Sequence, residues 1–280
     1  MTARPDFLII PAAGLGIRMR AVNPGLPKEM LAINGIPAIQ YTVAEGFAIG
    51  IKKIVIIINH GKEVIRRYFE EPLFREKVYP QAAEKMAVFA KECTIHFLYQ
   101  EEPLGEADAI GLCLPLVGEA NLAIIYPDNL YAPSPGALPH LLPYFMDSGM
   151  DLLGLTQITQ QNQRGTSNAG RVDLQALDGD LFKIKRLLPK GPGPFVPRFP
   201  GEFRACGIML SSGSHLFPCI EQTRTTVKEG EFTDLPVRMQ IMRQHGLLGC
   251  RLPGTVFDIG NPLGYEHCRL FMAKIVKTGP

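Results

Sequence analysis

FLIIPAAGLGIRMRAVNPGLPKEML (7–31) sets the reading of this chain. FLII is a continuous apolar run and predicts a strand buried on both faces. A glycine turn follows it at once, with Gly14 and Gly16 ahead of Arg18, and Lys28 comes ten residues later in PKEML. Two familiar phosphate loops do not fit. Counted from Gly14, GxGxxG needs its third glycine where Met19 stands. GxxxxGK[ST] needs its second glycine at the same place, and no Lys-Ser/Thr follows. What remains is a strand, a bare backbone that a phosphate can approach closely, and two cations able to grip it from two sides. An ordinary strand-to-helix turn with surface cations has the glycines too. The framed pair of Arg18 and Lys28 favours the phosphate reading.

Working outward, the first half alternates. Strands are predicted at 7–10, 53–59, 94–100 and within 121–129. Helices are predicted at 37–50, 61–70, 84–92, 105–118 (bent or ended near Pro115) and 137–148. A further strand is predicted at 151–158. Continuous apolar strands separated by helices predict an α/β fold with a mostly parallel sheet covered on both faces. Ligands then sit beyond the carboxyl ends of the strands. Gly14–Arg18, Gln100–Gly105 and Asp128 all lie just past such ends and are expected along one rim. The second half is less regular. It holds a Gly/Pro-rich loop at 189–201, a strand at 203–212, a helix at 232–246, strand material at 249–260 and a closing helix at 262–278. No linker divides the chain, so one elaborated domain over 1–280 is expected.

The formal charge of +2 and the lack of a Lys/Arg block argue against a nucleic-acid surface. Residues of apolar type make up 46%, enough for a sizeable core. Cys93, Cys113, Cys206, Cys219, Cys250 and Cys268 are scattered without CxxC or metal spacing. They predict free thiols in a reducing cytoplasm. The N-terminal run is too short to span a bilayer and does not read as a signal peptide, so no membrane partner is expected. The six histidines are dispersed and none is assigned to catalysis; no GxSxG elbow supports a hydrolase triad.

GLGIRMRAVNPGLPKEML resembles the signature of sugar-1-phosphate nucleotidyltransferases, in particular the bacterial UTP–glucose-1-phosphate uridylyltransferase type, GLGTRxxPxTKxxPKEMLP. The likeness continues in order. QEEPLGEADAI (100–110) resembles the nucleobase segment, and YPDN (126–129) the strand-end aspartate that holds magnesium. GEFTD (230–234) resembles a Gly-Glu…Thr-Asp stretch, and FDIGNPLGY (257–265) the segment with the second metal-binding aspartate. The resemblance implies a Rossmann-like three-layer α/β/α fold of the GT-A-like kind with a mixed, mostly parallel central sheet. It also implies that 1–150 is the nucleotide-binding half of the domain and 151–280 its sugar-binding half with the C-terminal helix.

It also implies Mg²⁺-dependent transfer of a nucleotidyl group from a nucleoside triphosphate, UTP first, to a sugar 1-phosphate, glucose 1-phosphate first, with release of pyrophosphate. Asp128 and Asp258 would hold Mg²⁺, and Arg18 and Lys28 would act on the phosphates. Ala13, Gly14, Gly16, Gln100 and Gly105 would form the nucleotide site. Gly170 and Gly207 would meet the sugar phosphate. Three positions depart from the family pattern. Ile17 replaces a hydroxyl residue, Asn23-Pro24 replaces Thr-Lys, and Leu187-Leu188-Pro189 replaces the Glu-Lys-Pro whose lysine binds the sugar phosphate. Lys185, foremost, or Arg186 or Lys190 is the expected substitute. Another base (dTTP or CTP), another phosphorylated acceptor, or a non-catalytic nucleotide-sugar-binding relative remain open alternatives. Relatives of this kind form homodimers or homotetramers, which leaves either assembly open here.

Overall fold

Side chains at successive positions of the first strand part to opposite faces, and this organises the molecule. Leu8 and Ile10 join one apolar cluster, Phe7 and Ile9 another. In the computed structural model, which describes residues 2–226 and 230–278, the strands are β1 (Phe7–Pro11), β2 (Ala32–Ile33), β3 (Ile36–Pro37), β4 (Lys53–Ile58), β5 (Thr94–Tyr99), β6 (Asn121–Ile125), β7 (Asn129–Ala132), β8 (Leu152–Gln157), β9 (Val172–Ala176), β10 (Leu181–Leu187), β11 (Phe203–Ser212), β12 (Leu248–Arg251) and β13 (Thr255–Asp258). The helices are α1 (Ala38–Ala48), α2 (Glu63–Glu70), α3 (Pro72–Val78), α4 (Pro80–Glu92), α5 (Glu106–Gly111), α6 (Leu114–Val117), α7 (Ala137–Ser148), α8 (Gly213–Arg224), α9 (Asp234–Gln244) and α10 (Pro262–Thr278).

Nine strands form one sheet in the order β5-β4-β1-β6-β11-β8-β12-β10-β9. β5, β4, β1 and β6 pair in parallel, while β11 runs antiparallel to both β6 and β8. β12 is parallel to β8, and β10 is antiparallel to β12 and β9. The sheet is therefore mixed, with only β11 and β10 running against the common direction. Helices α1, α2, α4 and α7 bury Val43, Tyr68, Phe89 and Leu141 against one face. Helices α5, α8 and α9 bury Ile110, Ile220 and Ile241 against the other. Each fully buried Ile or Leu contributes about 1.5–3 kcal/mol relative to an exposed one, so covering both faces accounts for the near-continuous apolar strands. A third cluster seats α10, through Cys268 and Met272, on Leu130 and Phe257 of the separate β7–β13 ribbon.

Several boundaries differ from expectation. The helix predicted over 84–92 begins earlier, because Pro80 occupies its first position, where a missing N–H costs nothing. The helix predicted over 105–118 divides into α5 and α6. The strand predicted within 121–129 stops at Ile125, and a new one starts at Asn129. Strands β9 and β10, and helices α3 and α8, were not predicted. All six cysteines are buried and free. No helix among the described residues is long and apolar enough to cross a membrane.

Candidate active site

Three turns leave the carboxyl ends of parallel strands side by side: Ala12–Gly16 after β1, Gln100–Gly105 after β5, and Tyr126–Asp128 after β6. They wall a cleft of about 530 Å³. Ala13, Gly14 and Gly16 line it from the first turn, and Gly16 takes φ 61°, a left-handed conformation that glycine adopts without strain. Arg18, on the short 3₁₀ turn that follows, faces the same space and forms no ion pair among the described residues.

Behind this loop the charges alternate. Lys62 is buried and donates to both Glu29 oxygens at 2.8 and 2.9 Å, and to the Ala12 carbonyl at 2.6 Å. Lys28, beside Glu29, lies 2.5 Å from Asp128 Oδ2. Burial opposes the charge on Lys28, but Asp128 and Glu29 outweigh it and hold its pKa above the ordinary lysine value. Burial likewise pushes the Asp128 carboxyl up, and Lys28 more than reverses this, leaving it below the usual range. At Lys62 burial prevails over the attraction of Glu29, and the pKa is lowered. The pair Lys28–Asp128 is thus a fixed ion pair at the rim, supported by a buried one beneath.

Asp258 arrives from the far end of the chain. The β7–β13 ribbon sets Asp258 opposite Asn129, and the Ile259 N–H donates to the Asp128 carbonyl at 2.8 Å. Asp258 accepts from the Ser167 N–H at 2.8 Å and hydroxyl at 2.5 Å, and from the Gly260 N–H at 3.1 Å. A Cβ on Gly260 would stand 2.8 Å from Asp128 Oδ2, 3.2 Å from Asp258 Oδ1 and 3.4 Å from Arg18 Nη2. Two carboxylates and a guanidinium therefore converge on one small volume that only glycine leaves open. Oxygen donors from two carboxylates, completed by phosphate oxygens, suit a hard divalent cation.

Gln100 is buried, and both its amide hydrogens are engaged, by the Gly105 carbonyl at 3.0 Å and Asp108 Oδ2 at 2.8 Å. Both partners are acceptors, so the amide nitrogen must face them. Its Oε1 is then the remaining polar atom of the amide, an acceptor only, on a residue that lines the cleft. Asp108 in turn takes Arg224 Nη1 at 2.5 Å. Gly105, at φ 110°, packs so closely on the Phe232 backbone that a Cβ would lie 2.5 Å from its carbonyl oxygen.

On the opposite wall, Gly170 and Gly207 have φ 74° and 72° and line the cleft. Gly207 sits in an irregularity of β11, and its carbonyl accepts from the Tyr126 N–H at 2.9 Å. Lys185 lies elsewhere. It projects from β10 into solvent toward Gln175, because the apolar positions Ile184 and Leu187 take the inward side. Arg186 is also outside, near Asp173. Of the three candidate substitutes only Lys190 lines the cleft. Sequence reasoning missed Glu29–Lys62, Asp108–Arg224, Ser167 and Arg204, and also Asp234, which holds the Tyr126 hydroxyl and Arg238. Glu29, Asp108 and Asp234 stood within the quoted PKEML, QEEPLGEADAI and GEFTD stretches without a role assigned to them; the others carried no local signal.

Known proteins bear on this geometry. The chain is 28% identical over 262 residues to the UTP–glucose-1-phosphate uridylyltransferase YngB of Bacillus subtilis, covering 91% of this chain and 85% of that one. It is 29% identical over 271 residues to a UTP–glucose-1-phosphate uridylyltransferase of Haemophilus influenzae, covering 92% and 89%. Its fold matches a UDP-glucose pyrophosphorylase solved with UDP-glucose at TM-score 0.81 and 22% identity, over 97% of this chain and 100% of that one. A UTP-bound enzyme from Acinetobacter baumannii matches at TM-score 0.74 and 22% identity, over 95% and 93%. The family described as nucleotidyl transferase matches residues 8–187, from β1 through the end of β10, and so takes in the glycine turn, Lys28, Gln100 and Asp128. By that match the chain belongs to the nucleotidyl transferase family.

Proposed function

We propose that this protein transfers a uridylyl group from UTP to a sugar 1-phosphate, with glucose 1-phosphate the first candidate, and uses Mg²⁺. An oxygen of the acceptor phosphate attacks the α-phosphorus in line. The bond from the α-phosphorus to the bridging oxygen breaks, and pyrophosphate leaves with that electron pair. No group on the protein needs to become covalently attached, so its work is positioning and charge neutralisation.

The observation that carries this reading is the convergence of Asp128, Asp258 and Arg18 around Gly260, with Lys28 held on Asp128. Asp128 and Asp258 would hold the metal. Mg²⁺ characteristically takes one or two carboxylates plus substrate phosphates, and when bound it supplies charge neutralisation of the reacting phosphates. Arg18, which forms no ion pair among the described residues, would steady the departing pyrophosphate, and Lys28 would neutralise oxygens near the α-phosphorus. Gln100 Oε1 is an acceptor, which suits the N3–H of uracil and opposes the N3 lone pair of cytosine. Thymine presents the same edge as uracil, so dTTP belongs in the test.

Pyrophosphate release is to be measured with Mg²⁺ across UTP, dTTP and CTP against a set of sugar 1-phosphates. The expected result is turnover with UTP and glucose 1-phosphate and little with CTP. Silence across the grid with nucleotide still bound would replace this reading by a non-catalytic binder.

A further inference from the structure

Arg204 is a buried and poorly satisfied charge on the wall of the cleft. It is 3% exposed, yet it forms no ion pair among the described residues. Its five N–H donors have two acceptors: Asn129 Oδ1 at 3.1 Å and, at a marginal 3.5 Å, the carbonyl of Ala205. Its Nε has none. A buried guanidinium without a carboxylate is costly unless something else supplies the charge. The nearby arginines are not in this condition. Arg171 holds both oxygens of Glu202 and stacks on Phe195, and Arg198 holds Glu202 and Asp173.

The position of Arg204 explains what it lacks. It lines the cleft, and through Asn129 it is one hydrogen bond removed from Asp128, since Asn129 Nδ2 donates to Asp128 Oδ1 at 2.9 Å. Its backbone bridges to Arg171, whose carbonyl accepts from the Leu188 N–H at 3.0 Å. Leu188 stands where the family pattern has the sugar-phosphate lysine. The cation missing from that segment thus reappears two backbones away, on the same rim.

We infer that Arg204 is the anchor for the phosphate of the acceptor. This rests on the nucleotidyl-transfer reading for its ligand, a sugar 1-phosphate. A guanidinium offers a paired donor edge that suits a phosphate better than a lysine point charge does, and Asn129 fixes its orientation toward the metal carboxylates. Lys190, exposed at the mouth of the cleft, adds charge without this orientation.

The test compares wild type with Arg204→Met and Arg204→Lys, using thermal melting alone, with inorganic phosphate, and with glucose 1-phosphate, alongside steady-state kinetics. A charge kept for a ligand makes the unliganded protein no more stable, so Arg204→Met should melt at or above the wild-type temperature. The melting shift given by either phosphate should vanish in Arg204→Met and partly return in Arg204→Lys. KM for glucose 1-phosphate should rise about 10- to 100-fold in Arg204→Met, as for loss of a charged hydrogen bond, with KM for UTP nearly unchanged. An unliganded melting point several degrees below wild type would assign Arg204 a structural role and overturn the inference, as would an intact phosphate shift or equal changes in both KM values. If wild type turns nothing over but shows the phosphate shift and Arg204→Met loses it, the anion site stands and the uridylyl-transfer reading falls.

Discussion

Replacing Asp108 by Asn should alter which base the protein accepts, although Asp108 itself is expected to touch no substrate. In the structure Asp108 is an acceptor on both sides, taking the Gln100 amide at 2.8 Å and Arg224 at 2.5 Å. Asparagine is nearly isosteric but has one oxygen and one amide nitrogen. Arg224 can only donate, so the oxygen turns to it and the new amide nitrogen turns to Gln100. Gln100 then meets a donor where it met an acceptor, and its favoured flip turns Oε1 inward and its amide nitrogen to the cleft. The flip is opposed by the Gly105 carbonyl, which loses its partner. Exchanging an acceptor for a donor at the base edge is worth about 1–3 kcal/mol, the cost of an unmade buried hydrogen bond, or roughly 5- to 150-fold in relative kcat/KM. The ratio of kcat/KM for UTP over CTP should therefore fall at least about fivefold. It is read from pyrophosphate release with each nucleotide at saturating acceptor. A ratio within about twofold of wild type, in a variant that folds and turns over, would refute the assignment of Gln100 as an acceptor held by Asp108.

Asp128→Asn and Asp258→Asn should each abolish pyrophosphate release while leaving the far-ultraviolet circular dichroism spectrum unchanged; robust turnover in either removes that residue from the metal pair. Arg18→Ala should lower kcat by about a hundredfold without lowering the melting temperature, because Arg18 is exposed and makes no ion pair among the described residues. Gly170→Ala should cost ~2 kcal/mol or more in denaturant unfolding, since φ is 74° and the new Cβ would fall 2.1 Å from the Ala205 carbonyl oxygen. Glu45→Gln concerns the core: Glu45 is buried, receives the N–H groups of Gly136 and Leu138, and is held by burial above the ordinary 4.5 of a glutamate. Its folded form keeps a proton that the unfolded chain has lost, so wild type loses stability relative to the variant as pH rises from 4.5 through the raised value. Melting differences that stay constant across that range would contradict the burial effect.

The legible elements were those with one dominant physical demand. β1, β4 and β6 lie between two helical layers, so their runs are apolar without interruption and could be read at once. β9, the edge strand, and β10 beside it are exposed on one side and carry Asp173, Lys183 and Lys185; nothing in their composition separates them from loops. Helix α8 holds Pro218 within it, a residue that argues against a helix interior. The same contrast runs through the site. Gly14, Arg18, Gln100 and Asp128 each follow a strand end, where the fold class alone sends them to one rim, while Lys28 was legible only through its spacing from the glycine turn. Lys185 looked suitable by proximity in sequence, but strand alternation turned it outward. Arg204 could not be found this way, because its meaning is an absent partner, and absence shows only after every neighbour has been placed.

The two aspartates raise a last physical point. Like charges repel, so carboxylates near one point need something that fixes both. Here the main chain does it: the β7–β13 pairing and the Ile259-to-Asp128 hydrogen bond set the spacing. Side chains then treat the two differently. Asp128 has a cation on it, while among the described residues Asp258 has only neutral donors, from Ser167 and Gly260. The asymmetry leaves the ribbon end with one compensated and one uncompensated negative charge, facing Arg18 and the cleft. Such a site would favour a further positive charge, and on the proposed reading the spacing needs no adjustment to receive it. If the two aspartates serve the proposed nucleotidyl transfer, the arrangement is preorganised for it, because the cost of bringing the carboxylates together is met during folding and not during reaction.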